Sequence, residues 1–134
     1  MDKQCNGECR KKVRLCEVRG ETSVFIDAEI DETGNLVITG QDIGKAPKRC
    51  FGDSDYEYWL TVPESEKHRV LQVLAEKTIV GTEHHAFRED VSPERKDAAL
   101  LRLVEQVYGG NACAVSALMD LLRANDIPYS FSTY

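Results

Sequence analysis

The adjacent histidines His84 and His85, which follow Glu83, are the first candidates for metal binding or acid–base chemistry. Neighbouring residues on a helix or a strand point in different directions, so two adjacent imidazoles do not readily bind the same ion. The sequence also lacks the H-x3-H and H-E-x-x-H spacings that bring two histidines to one face of a helix. A pair of solvent-exposed side chains in a loop is the simpler interpretation.

Cys50 is the best candidate for a catalytic nucleophile. It follows Lys48 and Arg49 directly, and neighbouring cations favour the reactive thiolate over the thiol. Cysteine catalysis also requires a histidine that the fold brings to the sulfur. One interpretation is therefore a small enzyme or metal-dependent protein in which Cys50, or one of the two histidines, works with Asp53 or Asp55. The alternative for Cys50 is an ordinary thiol.

Asp53, Asp55 and Glu57 place carboxylates close together in the sequence. If a strand begins at Asp55, then Asp55 and Glu57 lie on one of its faces, about 7 Å apart. Carboxylates at this distance suit general acid–base catalysis or a cation site, but the D-x-D-x-D-G loop with a distant glutamate that calcium prefers is missing. A solvated face of a sheet is the simpler interpretation of this acidic group.

Three of the five cysteines, Cys5, Cys9 and Cys16, lie near the beginning of the sequence. Their C-x3-C-x6-C spacing lacks the two-residue knuckle of common zinc sites, and a fourth ligand would have to come from Cys50 or from a histidine. A zinc-binding N-terminus is thus a further alternative. An odd number of cysteines without a secretion signal favours reduced thiols over a disulfide framework.

The aromatic residue Trp59 gives the leading functional interpretation. In an alternating strand, Trp59 lies on the same side as Glu57, opposite the side whose apolar residues face the core. An exposed aromatic residue ringed by carboxylates is typical of a contact surface. Phe25 is expected to meet Trp59 across this face. We expect a helix that covers the face or a binding surface made of Trp59, Glu57, Asp55, Asp53 and Phe25.

Strands must position these side chains, and the alternation of apolar and polar residues predicts where the strands lie. The turn Thr33-Gly34-Asn35 separates two alternating runs and predicts a hairpin. An irregular connection is expected at residues 41–54, and a connection of this length is either a solvated loop or a binding surface. The predicted strands cover residues 13–18, 23–30, 36–42, 55–62 and 129–134.

Three helices are predicted after residue 62. Pro63 suits the first position of a helix that extends to about residue 77. Ser92, which is followed by a proline, predicts the N-cap of a second helix that ends at a pair of glycines. Asn111 is expected to cap a third helix, whose apolar residues recur at helical spacing.

Together these elements predict an α+β fold. An antiparallel sheet of four to five strands, built from residues 13–62 and a C-terminal strand, is expected to carry three helices packed on one face. Residues 1–12 are polar and are expected to form a flexible N-terminal tail. Residues 13–134 are expected to form a single domain, because a chain of 134 residues has the usual size of one domain.

The stretch from Gly34 to Val62 also carries a resemblance to other proteins. It contains the runs GNLVITGQDIGKAP and FGDSDYEYWLTV. The stretch resembles a segment of small, uncharacterised bacterial proteins in which a G-Q-D-x-G turn precedes a D-Y-E-Y-W strand. This resemblance implies no activity and no catalytic residues.

Composition and charge narrow the classes of function. The formal net charge of −6 argues against nucleic-acid binding, because phosphate contacts need clustered lysines and arginines. No apolar run approaches the roughly 20 residues of a membrane helix, and the start lacks the pattern of a secretory signal, so we expect a soluble cytoplasmic protein. An acidic body suits a basic protein partner. We therefore expect a non-catalytic binding or regulatory protein without a cofactor or metal, similar to small acidic inhibitor or immunity proteins.

Overall fold

The structure is a computed structural model that describes residues 11–20, 22–44, 56–78 and 92–133. Within these ranges the chain forms five β-strands, three α-helices and one short 3-10 helix at Glu64–Glu66. The strands are β1 (Lys12–Val18), β2 (Thr22–Ile30), β3 (Leu36–Gly44), β4 (Tyr56–Val62) and β5 (Ser130–Thr133). The α-helices are α1 (Lys67–Thr78), α2 (Pro93–Tyr108) and α3 (Ala114–Ala124).

The five strands form one antiparallel sheet in the order β1-β2-β3-β4-β5. The three helices lie between β4 and β5 in the chain. After α3 the chain returns to the sheet, where β5 pairs with β4 through Phe131 opposite Leu60 and Ser132 opposite Trp59. The predicted α+β class and the five-stranded antiparallel sheet are confirmed.

One face of the sheet, the inner face, packs against the helices. Along β2, β3 and β4, fully buried residues alternate with partly exposed ones, as period-2 geometry requires. The helices complete this core with apolar residues such as Leu74, Leu103 and Leu118. The inner face consists of Val24, Ile26, Ala28, Ile30, Leu36, Ile38, Gly40, Asp42, Tyr58, Leu60 and Val62.

Strand β3 is longer than the sequence predicts. The irregular connection was expected to begin at residue 41, but Ile43 pairs with Ser23 and Gly44 pairs with Thr22. The G-Q-D-x-G segment at residues 40–44 is therefore strand and not a turn. Pairing with β2 supplies hydrogen-bond partners to the backbone of this segment, and that tertiary contact overrides the weak strand propensity of its glycines. Residues 45–55, which hold the remainder of the expected connection, lie outside the described residues.

The beginnings of the helices differ in detail from the predictions. The segment after Pro63 starts as a 3-10 helix, so α1 begins at Lys67. At α2, the Ser92 side chain accepts a hydrogen bond from the Arg95 backbone N–H, which confirms the predicted N-cap. Asn111 was expected to cap α3. Its side-chain oxygen accepts a hydrogen bond from the backbone N–H of Cys113 at 2.8 Å, in the turn that precedes α3. A membrane crossing would require a longer and more apolar helix than any in the described ranges.

The hairpin between β2 and β3 is held by the side chain of Asp31. Its carboxylate accepts hydrogen bonds from the backbone N–H groups of Thr33 and Asn35 and from both of their side chains. Gly34 adopts a φ of 89°, a conformation that side chains disfavour. The side chain of Asn35 also accepts a bond from the Glu64 backbone N–H at 3.0 Å. The turn therefore links the sheet to the segment that precedes α1.

Replacing Asp31 by alanine is expected to lower the free energy of unfolding by about 1 kcal/mol. The substitution removes the acceptor for the four hydrogen bonds within the turn. Urea denaturation of the variant and the wild-type protein measures the change. Glu32→Ala is the matched control, because Glu32 is an exposed neighbouring carboxylate, and it is expected to stay within about 0.5 kcal/mol of wild type.

The effect of Asp31 also depends on pH. Burial raises the pKa of Asp31, but the hydrogen bonds from Asn35 and Thr33 outweigh it, so the pKa lies below the ordinary value of 3.8. The ionised group therefore stabilises the fold above that value, and this contribution is lost as pH falls through the lowered pKa. The difference in stability between Asp31→Ala and wild type should be full at neutral pH and should shrink as the pH falls below 3.8. An unchanged difference would contradict this assignment.

Candidate functional site

The face of the sheet opposite the helices, the outer face, holds the described part of the predicted binding surface. The described helices place their buried residues in the core on the inner face and so do not cover the outer face. Ile43, at the end of β3, is 40% exposed, the most exposed large apolar residue among those described. The outer face consists of Ser23, Phe25, Asp27, Glu29, Val37, Thr39, Gln41, Ile43, Glu57, Trp59, Thr61, Ser130 and Ser132.

Trp59 lies near the middle of the outer face on β4 and is partly exposed. Its cross-strand partners are Thr39 on β3 and Ser132 on β5. Directly opposed side chains on neighbouring strands have Cβ atoms about 5 Å apart, so these partners are the groups best placed to cover the indole. Both are small. The ring of Trp59 is therefore flanked by short polar side chains, and part of its surface is exposed.

Glu57 lies on the outer face two residues before Trp59 and about 7 Å from it along the strand. The Gln41 side chain donates a hydrogen bond to Oε2 of Glu57 at 3.3 Å. This contact ties the Glu57 carboxylate to the neighbouring strand β3. An aromatic ring beside a carboxylate suits a positively charged group, which is attracted to the face of the ring and to the carboxylate oxygens at the same time.

Phe25 lies in the same cross-strand row as Gln41 and Glu57, on β2. Since β3 separates β2 from β4, Phe25 and Trp59 are not on neighbouring strands. The guanidinium groups of Arg14 and Arg19 instead lie 5.6 and 5.2 Å from the centre of the Phe25 ring. Two cations from the same chain thus lie over this ring, whereas no described arginine or lysine lies over the ring of Trp59.

The two arginines that lie over the Phe25 ring are hydrogen-bonded to carboxylates. Arg14 donates hydrogen bonds to Asp27 and Glu17, and Arg19 donates to Glu17. The hydrogen bond to Asp27 raises the pKa of Arg14, and the bond from Arg19 lowers the pKa of Glu17. The β1–β2 half of the outer face is therefore a network of paired charges, whereas the β3–β5 half is mostly neutral around Glu57.

The remaining candidates from the sequence lie outside the described residues. This holds for Asp53 and Asp55 of the proposed binding surface, for Cys50, His84 and His85 of the enzyme alternative, and for Cys5 and Cys9 of the zinc alternative. Cys16 is described and is buried in the core. Within residues 11–20, 22–44, 56–78 and 92–133, no group of three or more potential ligand side chains is arranged to hold a metal ion.

Cys113, the residue before α3, takes part in a disulfide bond. The expectation of reduced thiols is therefore wrong for Cys113. Spacing in a sequence does not reveal which cysteines a fold brings together, and an odd count of five is compatible with a disulfide.

Denatured protein that has not been reduced is expected to release at most three titratable thiols, since a disulfide consumes two of the five cysteines. A colorimetric thiol assay in guanidinium measures this number directly. Prior reduction provides the control and should restore all five. Five thiols without reduction would contradict the bond at Cys113.

Sequence reasoning did not identify the polar pair in the core formed by Asp42 and Tyr58. Asp42 is only 2% exposed, and the Tyr58 hydroxyl donates a hydrogen bond to its Oδ1 at 3.1 Å. The signal was present, because Ile38, Gly40 and Asp42 follow each other at the period of a strand, which directs Asp42 into the core. A buried carboxylate requires hydrogen-bond donors, and a tyrosine on the neighbouring strand supplies one.

Comparisons of this chain with protein-family models, curated proteins and solved structures give no match. Function must therefore follow from the geometry and chemistry of the residues themselves.

Proposed function

We propose that this protein is a non-catalytic binding protein that docks a basic segment of a partner protein on the outer face of its sheet. The observation that carries the proposal is Trp59 beside Glu57 on a face that the described helices leave open. This pair offers apolar area and a negative charge to the same arginine or lysine. Aromatic anchors of this kind contribute a large share of the binding energy at protein interfaces.

Phe25 supports the proposal by showing how this sheet face binds a guanidinium. Arg14 lies over the Phe25 ring and ends on the carboxylate of Asp27. Trp59 and Glu57 reproduce the ring and the carboxylate. Among the described residues, no arginine or lysine lies over Trp59. Compared with the arrangement at Phe25, the pair Trp59 and Glu57 lacks a cation. A partner with a basic segment supplies this cation.

The charge of the whole chain supports the same class of partner. A formal net charge of −6 attracts basic proteins over distances longer than a contact and speeds their encounter. Small acidic inhibitor and immunity proteins act in this way, by covering a basic surface without doing chemistry on it. Asp53 and Asp55 would extend the acidic surface beyond Glu57, as the sequence predicts.

Calorimetric titration with a synthetic peptide of alternating arginine and serine tests this function. The same peptide with glutamate in place of arginine is the control ligand. We expect the basic peptide to bind and Glu57→Gln to weaken it about tenfold. Glu105→Gln removes the same charge from the exposed surface of α2, on the other side of the sheet, and should change the affinity by less than about twofold.

Two results would overturn the proposed function. If Glu57→Gln and Glu105→Gln lower the affinity for the basic peptide equally, binding depends only on the net charge of the protein. Equal binding of the acidic and basic peptides would show that the outer face does not select cations.

A further inference from the structure

Two pairs of an aromatic residue and a carboxylate lie on the outer face, one on either side of β3. On β2 the pair is Phe25 and Asp27, and on β4 it is Glu57 and Trp59. The members of each pair are two residues apart in the sequence, which corresponds to about 7 Å along a strand. The two pairs therefore present the same two groups at the same spacing.

The register across β3 places the two pairs in opposite order. Phe25 shares a cross-strand row with Glu57, and Asp27 shares the next row with Trp59. A half turn about an axis normal to the sheet at Gly40 therefore exchanges the two rings and exchanges the two carboxylates. The way in which the pair on β2 holds a cation is thus a template for the pair on β4.

Strand β1, on the far side of β2, supplies the cations to the first pair. Arg14 lies opposite Asp27, donates a hydrogen bond to it and lies 5.6 Å from the centre of the Phe25 ring. Arg19 lies over the same ring at 5.2 Å. An arginine can satisfy both groups at once, because its planar guanidinium stacks on a ring while its N–H groups bond a carboxylate.

A lysine on the same strand does not make the corresponding contact. Lys12 lies opposite Glu29, in the row next to that of Arg14 and Asp27. Among the described residues, Arg14 forms an ion pair with the carboxylate opposite it, and Lys12 does not. The ammonium group of a lysine is compact and strongly hydrated, and it has no plane to stack on a ring. This contrast favours arginine over lysine on the outer face.

Strand β5, on the far side of β4, supplies no cation to the second pair within the part that the structure describes. Its outer-face residues there are Ser130 and Ser132, which are both exposed. Ser132 lies directly opposite Trp59. Serine is short and uncharged, so this part of β5 leaves the place of the guanidinium to another molecule.

We propose that the docked segment contributes an arginine and not a lysine, and that its guanidinium lies above Ser132, over Trp59 and against Glu57. This inference rests on the proposed function and names the residue type that the docking surface selects. The partner's arginine takes the role that Arg14 has at the Phe25 ring. A lysine of the partner gains the charge attraction but not the stacking.

Calorimetric titration of the wild-type protein with two peptides tests this preference. One peptide alternates arginine and serine, and the other, with the same length and charge, alternates lysine and serine. We expect the lysine peptide to bind at least about fivefold more weakly. Trp59→Leu removes the ring and keeps the charge of the face, so in this variant the two affinities should differ by less than about twofold.

Ser132→Arg tests the position of the guanidinium. The introduced guanidinium competes with that of the peptide for Trp59 and Glu57, so the arginine peptide should bind about tenfold more weakly. Thr133→Arg is the matched control, because it adds the same charge to the next residue of β5, which lies opposite Tyr58 on the other side of the sheet. At physiological ionic strength it should change the affinity by less than about twofold. Both positions are exposed, and circular dichroism reports whether each variant is folded.

The results that would overturn this inference differ from those that would overturn docking itself. If the lysine peptide binds as tightly as the arginine peptide, the preference for arginine is refuted, whereas docking of a basic segment stands. A preference that persists in Trp59→Leu would show that the ring does not select the guanidinium. If Ser132→Arg and Thr133→Arg weaken binding equally, the guanidinium does not lie above Ser132. If neither peptide binds, the proposed function fails and this inference fails with it.

Discussion

Replacing Gly40 by alanine is expected to lower the free energy of unfolding by about 3 kcal/mol. A Cβ atom at this position would lie 2.1 Å from Cε2 and 2.3 Å from Cζ of Tyr58. The ring cannot move aside easily, because Tyr58 is completely buried and its hydroxyl is bonded to Asp42. The glycine in β3 is therefore required by the tyrosine opposite it in β4.

Chemical denaturation of Gly40→Ala, followed by circular dichroism, measures this loss. Gly20→Ala is the matched control, since a Cβ at Gly20 would meet nothing within 4 Å. That variant is expected to stay within about 0.5 kcal/mol of wild type. If Gly40→Ala unfolds at the same denaturant concentration as Gly20→Ala, the close approach of Tyr58 to the β3 backbone is refuted.

Replacing Tyr58 by phenylalanine is expected to cost about 1–3 kcal/mol of stability. The ring and its packing against Phe131, with centroids 6.4 Å apart, are kept. The hydrogen bond from the hydroxyl to Asp42 is lost. Asp42 is 2% exposed, so water cannot readily replace the lost donor, and the buried carboxylate is left less well solvated.

Tyr129→Phe is the control for this substitution. The Tyr129 hydroxyl accepts a hydrogen bond from Arg123 at 2.9 Å, but this contact is at the surface, where water can take its place. The loss should be less than about 0.5 kcal/mol. If urea denaturation gives the same loss of unfolding free energy for both substitutions, the buried hydrogen bond contributes no more to stability than the exposed one.

Much of the fold follows from local signals in the sequence. The alternation of Val24, Ile26, Ala28 and Ile30 fixes the inner face of β2, and these residues are all buried. Ser92 before a proline marks the beginning of α2, because its hydroxyl satisfies a backbone donor that the helix leaves unpaired. Signals of this kind need no information from distant residues.

Features that depend on distant residues could not be predicted. The end of β3 at Gly44 is set by pairing with β2 and not by the local preference of glycine. In β1, a register shift between Arg14 and Cys16 turns both Leu15 and Cys16 into the core, where strict alternation would bury only one of them. A bulge depends on the partner strand, which a local pattern does not contain.

Some features of the candidate site follow from local sequence patterns, and others depend on distant residues. Alternation along β4 is enough to place Glu57 and Trp59 on one face, and the described helices pack against the other face. The position of Phe25 relative to Trp59 needed the register across β3, and its contacts with Arg14 and Arg19 needed the three-dimensional path of β1. The contact of Lys67 on α1 with Asp97 on α2 likewise joins residues that are 30 positions apart in the sequence.

Fluorescence of Trp59 tests the binding role of the outer face most directly, because Trp59 is the only tryptophan of the chain. The wild-type protein is titrated with the alternating arginine–serine peptide and, separately, with its glutamate counterpart. We predict a saturable change in the intensity or wavelength of emission with the basic peptide and none with the acidic peptide. Emission that stays constant while calorimetry shows the basic peptide to be bound would contradict docking at Trp59.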